Sequence, residues 1–335
     1  MRVRERGAPA AAPLIALAVL LLTCTGGTPP SGQASTSVLI ASRAVFAVAT
    51  YNGLFGLDEG GRTLGPIVRL PKDTFPTSPT FDARDGAIVF ALIRTTDSIP
   101  TSSDIYRVNI DGAGLHPMLE HERTNVFYLA PAIDPAGAAL YAQRRVVDLS
   151  DLQQPSDTRV VDTIERVDLG TGARRTVVTD GADPGISADG TSLVYVHMNK
   201  GSQDGLWTTG VDGAAARPFL RTRDAFVLLQ GPRVSPTGRQ IVLCSAGHIV
   251  TGAPSGGGKL AHFGGISEVF IAPIDGSSLR SIAVLADDVV PTWSRDGSRV
   301  AFIALGTLFI VAPSDGAVIA KLSVDYTYGD PVWLK

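Results

Sequence analysis

The sequence predicts an all-β protein, a six-bladed β-propeller with ring closure between its N-terminal strands and its C-terminal strand. Three observations predict this fold: a recurring Pro-x-apolar motif, Gly-containing turns between short apolar runs, and a partial repeat at each end of the chain. The 335 residues include 36 Gly and 22 Pro, spread along the chain rather than clustered. That distribution is typical of many short strands joined by turns.

The motif begins with Pro, any residue and an apolar residue. Its copies start at Pro79, Pro131, Pro184, Pro232, Pro291 and Pro331. The intervals between them are 52, 53, 48, 59 and 40 residues, which match one four-stranded propeller blade with variable loops. In each full copy a Gly turn follows the motif and leads into a second, apolar strand. A link then leads to a third strand, which ends in a turn such as Asp-Gly or Thr-Gly, and a fourth strand follows. Gly suits these turns because it tolerates positive φ.

The two ends of the chain together supply the remaining blade. Residues 44–49, 52–61 and 66–70 provide the second, third and fourth strands, and PVWLK at 331–335 provides the first. Pairing the ends would remove exposed strand edges, which otherwise invite aggregation. The sequence therefore predicts one propeller domain over residues 38–335.

The segments PTWSRDG and PAIDPAG resemble the TolB-like β-propeller family, whose repeat begins Pro-x-Trp-Ser-Pro-Asp-Gly. The match is fullest from Pro291 to Gly297, and the resemblance covers residues 38–335. It implies the propeller fold, but the motif is structural and specifies function weakly. We find no counterpart in this sequence to the separate α/β domain of TolB, and no Gly-x-Ser-x-Gly nucleophile elbow of propeller-linked peptidases.

The first 37 residues differ from the rest. Arg2, Arg4 and Arg6 precede the apolar run 11–24, and a small, polar, Gly- and Pro-rich stretch follows. We interpret residues 1–23 as a lipoprotein signal peptide and residues 24–37 as a flexible tether.

The run ends in Leu-Leu-Thr-Cys, which resembles the bacterial lipobox. The resemblance implies a diacylglycerol attached to Cys24, and hence an extracytoplasmic lipoprotein anchored in the membrane of a bacterial cell envelope. Ordinary secretion with cleavage further on, near Ala34, is the alternative, because Thr23 stands where the family prefers Gly, Ala or Ser.

Successive strands of a blade alternate in direction, so its connections fall on two faces. The turn face carries the first-to-second and third-to-fourth turns, which are short and uniform. The link face carries the second-to-third and blade-to-blade links, for which we predict long irregular loops at 93–104, 143–162 and 245–265. Long loops in a compact domain are often functional, so we predict that ligands bind on the link face. The candidate residues are His121, Arg123, Tyr128, Arg223, Asp288, Tyr328 and Asp330.

Mixed charges with aromatic groups suit a protein, peptide or saccharide partner. The formal net charge is −3 without a basic patch, which argues against nucleic acid. The sequence favours a binding or scaffolding module. The alternative is a propeller enzyme, a lyase or hydrolase, with its site at the channel mouth on the link face.

No motif calls for a cofactor, and we assign no catalytic residue and no metal ligand. APSGGGK at 253–259 resembles a phosphate-binding loop but lacks the following Ser or Thr and the helix. The five His residues show no metal-binding spacing. We expect Trp207, Trp293 and Trp333 to pack between blades, and Cys244 to be a buried small hydrophobe.

Overall fold

The computed structural model describes residues 40–148, 159–220, 228–246, 267–285, 289–326 and 329–335. The predicted signal peptide and the whole of the predicted tether, with Cys24, lie outside these ranges. Apart from one helical turn at residues 40–43, the regular elements described are β strands. In the described part of the chain, no helix has the length and apolar character needed to cross a membrane.

The strands in chain order are β1 (Phe46–Thr50), β2 (Gly53–Leu57), β3 (Thr63–Pro66), β4 (Thr74–Asp82), β5 (Ala87–Thr96), β6 (Ile99–Asn109), β7 (His116–Leu119), β8 (Val126–Ile133), β9 (Ala139–Asp148), β10 (Arg159–Asp168), β11 (Arg174–Val178), β12 (Gly181–Ile186), β13 (Ser192–Asn199), β14 (Ser202–Gly210), β15 (Arg217–Pro218), β16 (Leu228–Val234), β17 (Gln240–Ala246), β18 (Ser267–Pro273), β19 (Arg280–Leu285), β20 (Thr292–Trp293), β21 (Val300–Ala304), β22 (Thr307–Val311), β23 (Val318–Ser323) and β24 (Asp330–Trp333).

Among the described residues, these strands form six antiparallel units of four. Units 1 to 5 are β4–β7, β8–β11, β12–β15, β16–β19 and β20–β23, and unit 6 joins β24 to β1, β2 and β3. A single parallel bridge, Ser103 to Phe127, links units 1 and 2. In each unit the repeat Pro lies within the first strand or directly before it, which agrees with the predicted repeat. The fourth strand of unit 6 lies at Thr63–Pro66 rather than at the predicted 66–70.

The two ends of the described chain pair with each other in unit 6. β24 runs antiparallel to β1, with Phe46 opposite Trp333 and Ala49 opposite Asp330. The rings of Phe46 and Trp333 lie 4.6 Å apart. This pairing is the contact on which the predicted closure of the ring depends.

Each hydrophobic cluster of the core lies between two consecutive units. Ile88 and Phe90 of unit 1 pack on unit 6, and Val89 and Ala91 of the same strand pack on unit 2. The second strands are thus covered on both faces, which explains why β5 is an apolar run without polar alternation. Further clusters join units 2 and 3, 3 and 4, 4 and 5, and 5 and 6. Cys244 is buried in the cluster between units 4 and 5, as expected.

The prediction of a long loop at 93–104 was wrong. β5 and β6 continue as a ladder to Thr96 and Ile99, and only Asp97 and Ser98 turn the chain. Both have positive φ, 51° and 66°, the pattern of a tight type I′ hairpin turn. The predicted loop at 143–162 is also mostly strand, since Asp148 pairs with Arg159 and 149–158 lie outside the described residues. Most of the predicted loop 245–265, including the APSGGGK segment, also lies outside them.

Two-residue turns close the second-to-third links of three further units. Lys200-Gly201 and Leu305-Gly306 have positive φ at both positions, and Tyr51-Asn52 closes unit 6. The link face is therefore built, in these units, from projecting hairpins rather than from irregular loops. In these units the side chains at the hairpin turns therefore form part of the link-face surface.

Candidate functional site

The first strands of the units surround a central cavity of about 320 Å³. The positions directly before the repeat Pro residues share this lining: Ser78, Ala130, Asp183, Val290 and Asp330. The chain thus brings one residue of each of five units to a common space. The equivalent residue of unit 4, Gly231, contributes its backbone N–H to the same network.

The first strands reach this arrangement through a shared irregularity. The pairing register shifts at Thr77/Thr80, Leu129/Ala132, Ala182/Gly185 and Gln230/Arg233, each time around the residue before Pro. That residue has positive φ in all four strands, from 46° at Ala130 to 60° at Gly231. Such backbone costs about 1–3 kcal/mol for a residue other than Gly, and it persists where the surroundings impose it. Bulges of this kind re-aim side chains and N–H groups, here toward the cavity.

Asp330 connects unit 6 to unit 1 at the cavity. Its carboxylate is buried and accepts hydrogen bonds from the Ser78 N–H at 2.8 Å and from the Thr77 hydroxyl at 2.9 Å. The sequence selected Asp330 as a candidate ligand contact. In the structure this carboxylate lines the cavity, and it also joins units 6 and 1 through its hydrogen bonds.

Asp183 connects unit 3 to unit 4 in the same way that Asp330 connects unit 6 to unit 1. Its carboxylate accepts hydrogen bonds from the Gly231 N–H and, at 3.1 Å, from the Arg233 guanidinium. The Asp183 N–H in turn donates to the Gln143 side chain of unit 2 at 3.2 Å. Sequence reasoning missed Asp183 and Gln143. The signal for Asp183 was its position immediately before a repeat Pro.

The cavity therefore combines carboxylates, amides and guanidinium groups in a confined space. Gln143 and Arg145 both bond to the buried Asp162 carboxylate, Gln143 at 2.7 Å and Arg145 at 2.8 Å. Such a lining matches a ligand that presents both donors and acceptors, for example hydroxyl or amide groups. In the described part of the chain, His, Cys, Asp and Glu do not gather into a group of three or more suited to a metal ion.

His121 lies on the link between units 1 and 2. Its Nδ1 is 2.5 Å from an oxygen of Asp104, which also accepts the His121 backbone N–H at 2.8 Å. Asp104 is fully buried, and its other oxygen accepts a hydrogen bond from Arg94 at 2.8 Å. The imidazole is thus held in one orientation and remains partly exposed.

The remaining predicted site residues differ in their surroundings. Arg123 is exposed near His121. The ring of Tyr128 is buried between units 1 and 2, and only its hydroxyl reaches a charged cluster with Glu122, Glu165 and Arg174. Burial, with the nearby Glu165, raises the pKa of Tyr128, so the phenol stays neutral at physiological pH. Arg223, Asp288 and Tyr328 lie outside the described residues.

The link face also exposes apolar side chains that sequence reasoning missed. Tyr51, Ile99 and Leu305 sit at or beside the hairpin turns of units 6, 1 and 5 and are 58%, 66% and 62% exposed. Leu305 does so with a φ of 46°, where Asn or Gly is the usual residue. These three apolar side chains lie on the same face of the fold, one in each of three units.

Neither the models of known protein families nor the curated proteins contain a match to this chain. Solved structures do match in fold. TolB from Acinetobacter baumannii aligns with a TM-score of 0.62 at 16% identity, over 88% of this chain and 67% of that one. A putative TolB from Agrobacterium tumefaciens aligns at 0.53 and 16%, over 76% and 87%. A chain from a nidogen/laminin complex aligns at 0.61 and 11%, over 86% and 97%.

The strand arrangement and these neighbours define a β-propeller. More particularly, the fold is a TolB-like β-propeller, as the sequence motif implied. At these identities the likeness concerns the fold.

Proposed function

We propose that this chain is a lipid-anchored, extracytoplasmic propeller that binds a protein, peptide or saccharide partner on its link face and at the cavity mouth. The observation that carries the proposal is the trio of exposed apolar tips, Tyr51, Ile99 and Leu305, on the link face. Exposed apolar groups of this size stabilise a complex when a partner covers them.

The predicted anchor at Cys24 fits this orientation. The Lys335 ammonium donates to the Ser42 carbonyl at 2.5 Å, so the first described residues lie beside the end of β24 on the turn face. A tether leaving there would place the membrane on the side away from the hairpin tips. The link face would then point toward the surrounding space, where a partner can reach it.

The experiment is capture of a partner from envelope extracts with the full chain as bait. A variant carrying Tyr51→Ser, Ile99→Ser and Leu305→Asn should recover clearly less partner than the wild type. The matched control is Val318→Ser with Ile319→Ser, which removes exposed apolar groups from the edge strand β23 near the turn face. Equal recovery by the tip variant and the wild type would contradict the proposal.

A second candidate is an enzyme, favoured by the His121–Asp104 pair. An imidazole oriented by a buried carboxylate is a common general base. This candidate predicts that purified protein cleaves a saccharide or ester-type panel and that His121→Gln abolishes the cleavage. Absence of turnover by the wild type on every member of the panel would favour binding.

A further inference from the structure

A second cavity, of about 330 Å³, opens at the turn-face end of the central channel. It is lined by parts of the first strands and first turns of units 1, 4, 5 and 6. Phe81, Trp293 and Trp333 are among its lining residues, and the two Trp side chains are 6% and 3% exposed. Its volume lies at the low end of the range for small-molecule sites, about 300–1,000 Å³. The exposed hairpin tips of the link face are at the other end of the molecule, and this cavity and the central cavity share one lining residue, Arg233.

The charge of the lining is positive. Arg295 and Arg233 border the cavity, and no Asp or Glu lines it among the described residues. Arg233 is partly compensated, because it bonds to Asp183 at 3.1 Å. Arg295 forms no ion pair within the described chain, and its guanidinium carbon lies 5.6 Å from the centre of the Phe81 ring.

The carboxylate adjacent to Arg295 in sequence forms no ion pair with it. Asp296 is its neighbour in sequence, but its oxygens accept hydrogen bonds from Ser294 and Ser298 within the turn, at 2.6 and 2.8 Å. A cation without a counter-ion beside aromatic walls attracts an anion that also carries an apolar surface.

Two hydroxyl groups complete the site. Thr80 and Thr292 line the cavity, and the structure records no protein hydrogen bond for either hydroxyl within the described residues. Trp293, by contrast, is fixed by an indole N–H that donates to the Arg233 carbonyl at 2.8 Å. Rigid aromatic walls with a few free polar groups are the usual composition of a ligand pocket.

We propose that this cavity binds a small aromatic carboxylate, with the anion on Arg295 and the ring against the aromatic lining. Arg295 supplies the bidentate donors that match carboxylate geometry, and Thr80 and Thr292 supply hydroxyls at the rim.

The test uses the full chain in detergent with 5-fluorotryptophan at its three Trp positions, followed by ¹⁹F NMR during titration with benzoate. Trp207 stacks on His197 and does not line the cavity, so its signal, assigned through Trp207→Phe, is the internal reference. Benzoate should shift the signals of Trp293 and Trp333 and leave that of Trp207 in place. Benzamide, which has no charge, and acetate, which has no ring, should bind more weakly.

Arg295→Gln should weaken benzoate binding about tenfold, since a charge-assisted contact to the carboxylate is lost. Arg299→Gln is the matched control: it removes the same charge from the same hairpin, where Arg299 stands over Trp333 but does not line the cavity. Its affinity should equal that of the wild type. No shift of the Trp293 signal, equal binding of benzamide and benzoate, or unchanged affinity in Arg295→Gln would each overturn the proposal.

Discussion

The carboxylate of Asp330 accepts a hydrogen bond from the backbone N–H of Ser78 at 2.8 Å, across the junction between unit 6 and unit 1. The same relationship joins Asp183 of unit 3 to the Gly231 N–H of unit 4. In both cases a residue before a repeat Pro satisfies the N–H of the next unit's equivalent residue. These two contacts tie neighbouring first strands together beside the cavity, at the junction of units 6 and 1 and at that of units 3 and 4.

Asp330→Ala should lower the free energy of unfolding by about 1–3 kcal/mol, because the Ser78 N–H and the Thr77 hydroxyl lose a buried acceptor. Chemical denaturation followed by far-UV circular dichroism measures the change. Glu59→Ala is the control, since Glu59 is exposed and receives no hydrogen bond within the described chain. Equal stability of the two variants would show that the Asp330 contact is not a structural link.

Ring closure is tested by removing residues 331–335. The deletion takes away Trp333, which is 3% exposed and packs on Phe46, and it uncovers the edge of β1. Loss of a buried Trp side chain alone destabilises by about 3–5 kcal/mol, so the melting temperature should fall sharply. Lys335→Ala, which removes only the contact to Ser42, should melt close to the wild type. A deletion variant with an unchanged melting temperature would refute the predicted closure.

The repeated Pro motif was enough to predict the β-propeller fold and to place the first strand of each unit. It could not show that Asp97-Ser98 is a tight turn, because Asp, Ser and Pro100 together suggest a loop, whereas Pro100 is accommodated in the ladder of β6. The cavity lining was only partly predictable. Asp330 was selected, but the contact of Asp183 with Gly231 depends on how two units pack, which no local pattern encodes. The exposed tips were missed because single apolar residues in a turn carry no periodic signal.

Asp296 gives the turn of unit 5 a dependence on pH. Hydrogen bonds from the Ser294 hydroxyl and from the N–H and hydroxyl of Ser298 lower the pKa of Asp296 from 3.8 to about 2. Because the folded-state pKa is the lower one, the ionised turn contributes stability above pH about 4, and this contribution is lost as pH falls toward about 2. Asp296→Asn should therefore lose less stability than the wild type over that interval. Melting temperatures measured along the pH series test this, with Glu59→Gln as control; parallel curves for Asp296→Asn and the wild type would contradict it.

Lipid attachment at Cys24 is tested in cells grown with an alkyne fatty acid. The wild type should incorporate the label and Cys24→Ala should not, because the thiol is the acceptor of the diacylglycerol. Cell fractionation should move Cys24→Ala from the membrane to the soluble fraction. Equal labelling of both proteins, or labelling of neither, would favour cleavage further along the chain, near Ala34, without an anchor.

At Leu305 we expect a substitution that raises the free energy of unfolding to weaken partner binding. Leu305 occupies a hairpin position with a φ of 46° and is 62% exposed, so it contributes little to the core while holding strained backbone. Leu305→Asn places a residue suited to this turn and should raise the free energy of unfolding by about 0.5–1 kcal/mol. The same change removes an apolar tip from the link face, so partner capture should fall.

The variant Leu305→Ala separates the two effects, because Ala keeps the strained backbone but loses the apolar contact. It should capture less partner without becoming more stable. A Leu305→Asn protein that is more stable and captures partner as well as the wild type would show that the strained leucine does not serve binding.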